Sequence, residues 1–195
     1  MWDQRYAVEE YVYGTTPNDF LAAQAPRLPR GRALCLAEGE GRNAVYLAEQ
    51  GYDVVAVDAS QQGMAKAQRL AAERGVRIET QVADLAGYAI PVGTWDLIVS
   101  IFCHLPPPVR RPLHHAAVLG LRPGGAFLLE AYTPRQLEFG TGGPPTAELL
   151  MSLPSLREEL KGLSFVHAVE TEREVIEGRL HTGRAAVVQV LALKT

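Results

Sequence analysis

Two glycines and three carboxylates, each at the end of a short apolar run, are the residues of this sequence best placed for chemistry. In Leu34-Cys35-Leu36-Ala37-Glu38-Gly39-Glu40-Gly41-Arg42-Asn43-Ala44 an apolar strand runs into a glycine loop and then into a helix. Gly39 and Gly41 let the backbone turn tightly and approach a ligand with no Cβ in the way. The helix start behind them, at Asn43, offers unpaired N–H groups and a partial positive charge. Asp58, followed by Ala59, closes the next apolar run, where a carboxylate accepts hydrogen bonds from both ribose hydroxyls. Asp84-Leu85 closes a third.

This pattern has more than one reading. Gly39-x-Gly41-x-x-Ala44 with Asp58 satisfies the dinucleotide fingerprint in its Ala-ending form, which would make the chain an NAD-type oxidoreductase. Three features favour S-adenosylmethionine instead. Glu38 directly before the glycines would repel a pyrophosphate but suits the ammonium end of a methionine. Asp84 stands where it can accept a hydrogen bond from an adenine amino group. A dehydrogenase would also need a substrate domain for which no chain is left. A module that binds adenosylmethionine without catalysis is a further alternative.

The elements that carry these residues follow from the spacing of apolar runs and breakers. Residues 1–31 read as a helical lead-in, with Asn18 as N-cap of a helix over 19–27. From 32 onward short apolar strands (33–37, 53–57, 76–82, 95–101, 126–130) alternate with helices (43–50, 61–74, 109–121). Ser60 caps the second of these helices, and Pro123-Gly124-Gly125 stops the third. Such alternation predicts a parallel sheet covered on both faces. The tail differs: 165–176 and 185–193 read as two strands joined by the loop 177–183, hence an antiparallel hairpin. The expectation is a single domain, 1–195, with 1–31 as lead-in or lid and 32–195 as a Rossmann-like core. Its sheet is mostly parallel and seven-stranded, with an antiparallel C-terminal hairpin strand.

Composition narrows the function. With 47% hydrophobic and 21% charged residues the chain is ordinary for a globular protein, and its net charge of −3 lacks the cationic excess of a nucleic-acid binder. Cys35 and Cys103 have no metal-like spacing, so no metal site is expected and a reducing, cytoplasmic setting is. No apolar run reaches membrane-spanning length. A monomer or weak homodimer acting on a small molecule, without nucleic acid or membrane, is the expectation.

Taken together, the motifs resemble those of the class I S-adenosylmethionine-dependent methyltransferases. Glu38-Gly39-Glu40-Gly41 is similar to their first motif, Asp58 to the acidic end of strand two, and Asp84-Leu85 to the adenine-side motif. Trp95-Asp96-Leu97-Ile98-Val99-Ser100 looks like the strand-four motif, and Leu121-Arg122-Pro123-Gly124-Gly125 like the turn before strand five. The lead-in Trp2…Arg5-Tyr6…Tyr11-Val12-Tyr13-Gly14…Pro17-Asn18-Asp19-Phe20-Leu21 resembles the branch that holds tellurite-resistance and thiopurine methyltransferases. The resemblance implies methyl transfer to a small acceptor, a thiol or chalcogen compound on the branch likeness, with adenosylhomocysteine as co-product. It adds Ser100, Tyr13 and Asn18 to Glu38, Gly39, Gly41, Asn43, Asp58, Ala59, Asp84 and Leu85 as expected cofactor contacts.

The acceptor should meet the cofactor beyond the carboxyl ends of the strands. Following strand four come Phe102, Cys103 and His104; following strand five, Tyr132 and Arg135; the hairpin loop adds Arg179 and His181. Phe102, Tyr132, Arg135, Arg179 and His181 are therefore expected substrate contacts. His104 is the candidate base, since an imidazole titrates near neutrality; its alternative role is to satisfy loop carbonyls. A lone thiol in an apolar loop is structural, so Cys103 is not a nucleophile. Methyl transfer from a sulfonium is an in-line displacement, and alignment alone lowers such barriers by about 7–11 kcal/mol. The strand-four segment lacks an Asp/Asn-Pro-Pro-aromatic pattern, which again disfavours nucleic-acid bases.

Overall fold

The computed structural model describes residues 2–179 and 181–195. Leu180, in the predicted hairpin loop, lies outside the described residues, as does Met1. Seven strands form one sheet: β1 (Arg32–Leu36), β2 (Asp53–Asp58), β3 (Glu79–Val82), β4 (Trp95–Ile101), β5 (Leu121–Tyr132), β6 (Ser164–Glu177) and β7 (His181–Leu193). Their order is β3-β2-β1-β4-β5-β7-β6. The first five are parallel, and β7 inserts antiparallel between β5 and β6. This is the mixed, Rossmann-like sheet expected from the sequence. All the loops after the parallel strands therefore open on one edge.

Among the described residues six α-helices accompany the sheet: α1 (Trp2–Tyr6), α2 (Asp19–Gln24), α3 (Arg42–Glu49), α4 (Gln61–Glu73), α5 (Pro107–Gly120) and α6 (Leu153–Glu159). Alternate strand residues feed two apolar layers. One buries Leu34, Leu36, Ile98, Phe127 and Leu129 with α5 and α6; the other buries Ala33, Cys35, Leu97, Val99 and Leu128 with α2, α3 and α4. A strand buried on both faces reads as a continuous apolar run, which is why these strands were visible in the sequence. Asn18 and Ser60 cap α2 and α4 by accepting from the Leu21 and Gly63 N–H groups.

The structure departs from the sequence reading at several places, among them the start of β7, at His181 rather than 185. β3 starts at Glu79 rather than 76, because only 79–82 pair with β2 at this exposed edge. Pro123-Gly124-Gly125 does not end a helix. Instead α5 stops at Gly120, and those residues form a bulge inside β5, where the register shifts between Trp95 and Leu97. α6 has no counterpart in the sequence reading, although Ser152 and Ser155 form a reciprocal capping box at its start. Buried Glu159 fastens α6 to α5: Arg110 donates to it at 2.9 Å and it lies 2.7 Å from His114 Nδ1. Although burial raises the Glu159 pKa, those partners outweigh it and hold the carboxyl down at about 2.

Candidate active site

The strand order turns three sequence-distant carboxylates into a row. Glu38, Asp58 and Asp84 follow β1, β2 and β3, which are adjacent, so the acids succeed one another along the carboxyl edge. The glycines between them are in the left-handed region, Gly39 at φ +65° and Gly41 at φ +93°. Their need for glycine is internal. A Cβ on Gly39 would stand 2.7 Å from the Tyr6 hydroxyl, and one on Gly41 would stand 2.5 Å from Ala67 Cβ on α4. Two non-glycine residues also adopt left-handed backbone, Ala37 and Phe102, both at φ +50°. They lie at the ends of the adjacent strands β1 and β4, and each conformation costs of order 1–3 kcal/mol. Strain therefore sits where the two halves of the edge meet.

Within the acidic row the roles differ. Asp58 accepts from the Gly39 N–H at 2.9 Å and the Ser60 N–H at 2.8 Å, and burial raises its pKa. A carboxylate has about four acceptor positions, so a diol can still donate to it. Exposed Asp84 accepts from the Ala86 N–H at 2.9 Å, and Leu85 behind it is buried. Ala59 is exposed beside Asp58. Glu38 faces inward: its Oε1 accepts from the Asn43 and Ala44 N–H groups, both at 2.8 Å. It thus caps α3, and burial raises its pKa to about 7.

Several expected cofactor contacts are committed elsewhere in the protein. Asn18 is fully buried; its Oδ1 caps α2, and its Nδ2 donates to Glu130 and Glu177. Asn43 Oδ1 accepts from the Asn18 N–H at 2.9 Å, which latches the lead-in to α3. Ser100 is 1% exposed, and burial pushes the pKa of the nearby Cys103 thiol up to about 12. Asn18 and Asn43 read as scaffold because their side chains already hold partners within the protein, and Ser100 is buried.

The other half of the edge is aromatic. Phe102 stacks on Tyr132 with ring centroids 4.5 Å apart, and His181 lies against Tyr13, Phe102 and Tyr132 at 4.6, 4.9 and 5.4 Å. His104 stacks behind Tyr132. Its ring is held within the protein: Nδ1 donates to the Leu149 carbonyl at 2.9 Å, and Nε2 accepts from the Tyr132 N–H at 3.3 Å. Burial, with the Arg110 charge, lowers its pKa to about 4, so the ring is a neutral brace. Arg135 and Arg179 stay outside this cluster. Arg135 is exposed and paired with Glu172, and Arg179 is exposed, its backbone N–H donating to Val12. Tyr13, Phe102, Tyr132 and His181 are the expected residues that do converge.

Beneath the aromatic cluster lies an ion network that the sequence did not reveal. Arg173 donates to Glu130 at 2.7 and 2.9 Å and to Glu177 at 2.9 Å, and Arg42 Nη2 donates to Glu177 at 2.5 Å. Asn18 and Gln189 complete it. An arginine at the first helical position reads as a solvated residue; only the pairing of Arg42 with the hairpin tip, 135 residues away, identifies it. On the lead-in, Tyr6 packs over Gly39, and the Asp3 carboxylate accepts from the Ser60 hydroxyl and the Gln62 N–H. Among the described residues no group of His, Cys, Asp and Glu could hold a metal.

Residues 33–125 match the methyltransferase domain family. A 2-heptyl-1-hydroxyquinolin-4(1H)-one methyltransferase from Mycobacteroides abscessus is 29% identical over 124 residues, 62% of this chain and 52% of that protein. The chain thus spans about half the length of this curated relative. Among solved structures, TehB from Haemophilus influenzae superposes with a TM-score of 0.73 at 21% identity, covering all of this chain and 66% of TehB. A protein from the conversion of a disulfide bond into a thioacetal group during echinomycin biosynthesis gives 0.79 at 19% identity, covering 99% and 90%. In sequence motifs and in fold the chain resembles the class I S-adenosylmethionine-dependent methyltransferases, TehB among them. S-adenosylmethionine is the cofactor that this family and fold imply. The residues fit it: Asp84, Asp58 and Glu38 stand in a row along the sheet edge, beside a left-handed glycine loop.

Proposed function

We propose that this chain transfers a methyl group from S-adenosylmethionine to a small-molecule acceptor. The observation that carries the reading is the adjacency of two unlike half-sites on one sheet edge. Asp84, Asp58 and the Gly39 loop suit an adenosine, while Phe102, Tyr132, His181 and Tyr13 form an aromatic end beside them. When bound, the cofactor supplies an electrophilic methyl. The protein's own residues orient and desolvate: Asp58 takes the ribose hydroxyls, the Gly39 loop lets the ligand lie close, and the aromatic rings exclude water from the reacting end. Residues 1–31 act as a lid within a single domain, held down by Asp3, Tyr6 and the Asn18 latch.

A soft acceptor, a thiol or chalcogen compound, agrees best with the acceptor half. Both ring nitrogens of His104 are taken, so the nucleophile must arrive already reactive. The mycobacterial relative is named for a hydroxyquinolone, which makes a hydroxyl acceptor the competing outcome. The test has two stages. Thermal-shift titration should show stabilisation by S-adenosylmethionine and adenosylhomocysteine and none by NAD. Release of adenosylhomocysteine is then followed over thiol, selenide and hydroxyl compounds. Stabilisation by NAD alone would overturn the class of reaction, and turnover of hydroxyl compounds alone the acceptor.

A further inference from the structure

Among the described residues, three polar atoms near the hairpin tip are buried and have no hydrogen-bond partner: Arg42 Nη1, Tyr132 Oη and His181 Nδ1. They belong to one neighbourhood. The Tyr132 and His181 rings meet edge to face at 5.4 Å. Glu177, which holds Arg42, is the last residue of β6, directly opposite His181 in the pair that closes the hairpin. Burial first, and then the nearby Arg42 charge, lower the His181 pKa to about 4, so the imidazole is neutral. Burial and the Glu177 charge raise that of Tyr132, so its hydroxyl keeps its proton.

The nearby acceptors are already occupied. Glu177 receives Asn18, Arg173 and Arg42, and Glu130 receives Asn18, Arg173 and Gln189. The two glutamates balance the two arginines in formal charge. What remains unspent is one arm of a guanidinium, one phenol proton and an imidazole nitrogen able to donate in one tautomer. A buried hydroxyl left unpaired lowers stability, and a phenylalanine would fill the same space without that cost. The unpaired groups are therefore complementary to something that arrives.

We propose that Arg42 Nη1, Tyr132 Oη and His181 Nδ1 form a subsite for an anionic oxygen or sulfur of a bound small molecule. The inference rests on the methyl-transfer reading only for what supplies the anion. It is either the carboxylate of the cofactor's amino-acid end or an acceptor that reacts as its anion. In the second case the acceptor leaves its proton in solvent before binding. Its lone pair then forms the bond to the methyl carbon as the carbon–sulfonium bond breaks, and that pair stays on the departing thioether sulfur. Glu177 is the positioning residue: it holds one arm of Arg42 and so leaves the other facing the subsite.

Tyr132→Phe is the decisive variant, since it removes an unpartnered hydroxyl and leaves the ring packing in place. Arg42→Lys retains a cation for Glu177 and loses the second arm. Each is titrated with adenosylhomocysteine and with 5′-methylthioadenosine, which lacks the amino-acid end. Each is also titrated with 4-nitrophenolate, on the free protein and on the adenosylhomocysteine-saturated protein. If the anion is the cofactor's, both variants weaken adenosylhomocysteine by about tenfold or more, the scale of a hydrogen bond to a charged group, and leave methylthioadenosine unchanged. If it is the acceptor's, adenosylhomocysteine binding is kept and nitrophenolate binding falls by a similar factor. In either case Tyr132→Phe melts at or above the wild-type temperature. Unchanged affinity for every probe in both variants would overturn the subsite. Failure of the wild type to bind either adenosine compound would overturn the methyl-transfer reading, while the nitrophenolate titration of the free protein still decides the subsite.

Discussion

The carboxyl edge of the sheet is built by two different strategies. On the β1–β2–β3 side each chemical group sits at the end of its own strand, and its hydrogen bonds are mostly to near neighbours: Glu38 bonds to residues five and six positions on, and Asp58 to a residue two on and to Gly39 in the loop after the adjacent strand. On the β4–β5–β7 side residues 13, 42, 102, 132 and 181 meet through contacts between remote segments. The first half is a motif. The second is a constellation. Local construction makes the first half depend on backbone conformation and the second on packing, and substitutions should separate them.

The largest effect is expected where the motif leans on a neighbouring helix. In Gly41→Val a Cβ at φ +93° would lie 2.5 Å from Ala67 Cβ and 2.6 Å from its Cα, and backbone cannot yield cheaply there. Strain and overpacking together should cost about 3 kcal/mol or more, read as a lowered denaturation midpoint and lost cofactor binding. Gly39→Val should cost less stability, because its Cβ meets the Tyr6 hydroxyl at the tip of a side chain that can swing away. Equal destabilisation by the two would show that α1 is as fixed as α4.

His104→Ala tests the constellation. It strands the Tyr132 N–H and the Leu149 carbonyl, each worth about 1–3 kcal/mol when left buried and unpaired. Melting temperature should fall, with turnover of any acceptor reduced by about tenfold or less, beneath the 10²–10⁴-fold expected of a general base. A thousandfold loss of turnover at unchanged melting temperature would restore His104 as the base.

Asp58→Ala should weaken adenosylhomocysteine binding by about 1.5–3 kcal/mol, the scale of hydrogen bonds to a charged group. The Gly39 and Ser60 N–H groups also lose their acceptor, so some loss of stability accompanies it. Asp58→Asn keeps an oxygen for one of them and should recover part of that stability without the affinity. Unchanged affinity in calorimetry would remove the ribose contact.

How far the sequence could be read follows the same division. The strands are continuous apolar runs, the caps Asn18 and Ser60 were visible as residue types, and the glycine loop with Asp58 needs only residues close together in the chain. Sequence alone did not show whether a polar atom was free. Asn18 and Asn43 have the right types and places for ligand contacts, yet each is bound to a segment that only folding brings near. For the same reason Arg42, Glu130, Arg173 and Glu177 gave no signal. Charges at those positions look solvated until β6 and β7 close over α3. The bulge at Pro123-Gly124-Gly125 was hidden because a proline and two glycines signal a stop as readily as an extra residue in a strand.

At Glu38, which caps α3 beside the Arg42 charge, the expected effect appears only as pH rises. Its carboxyl has a folded pKa of about 7 against an ordinary 4.5, raised by burial, although two N–H groups and the Arg42 charge oppose the rise. Below the ordinary value the group is neutral in both folded and unfolded chains and costs nothing. As pH rises from about 4.5 to 7 the unfolded chain releases the proton while the folded chain keeps it, so stability falls through that window. His104 and His181 act oppositely: buried neutral with pKa values of about 4, they lose stability as pH drops from 6.5. Glu38→Gln keeps an oxygen for the Asn43 and Ala44 N–H groups and removes only the ionisation. Taking the difference between variant and wild type at each pH cancels the histidines. That difference in melting temperature should be near zero at pH 4.5 and grow with pH: the shift corresponds to about 3 kcal/mol, hence on the order of 10 °C by pH 8 at roughly 2–4 °C per kcal/mol for a chain of this size. A difference independent of pH would mean that Glu38 is ionised throughout. Adenosylhomocysteine affinity of the variant then decides its remaining role. A loss would place the carboxylate against the methionine ammonium, and no change would leave it as the cap of α3 alone.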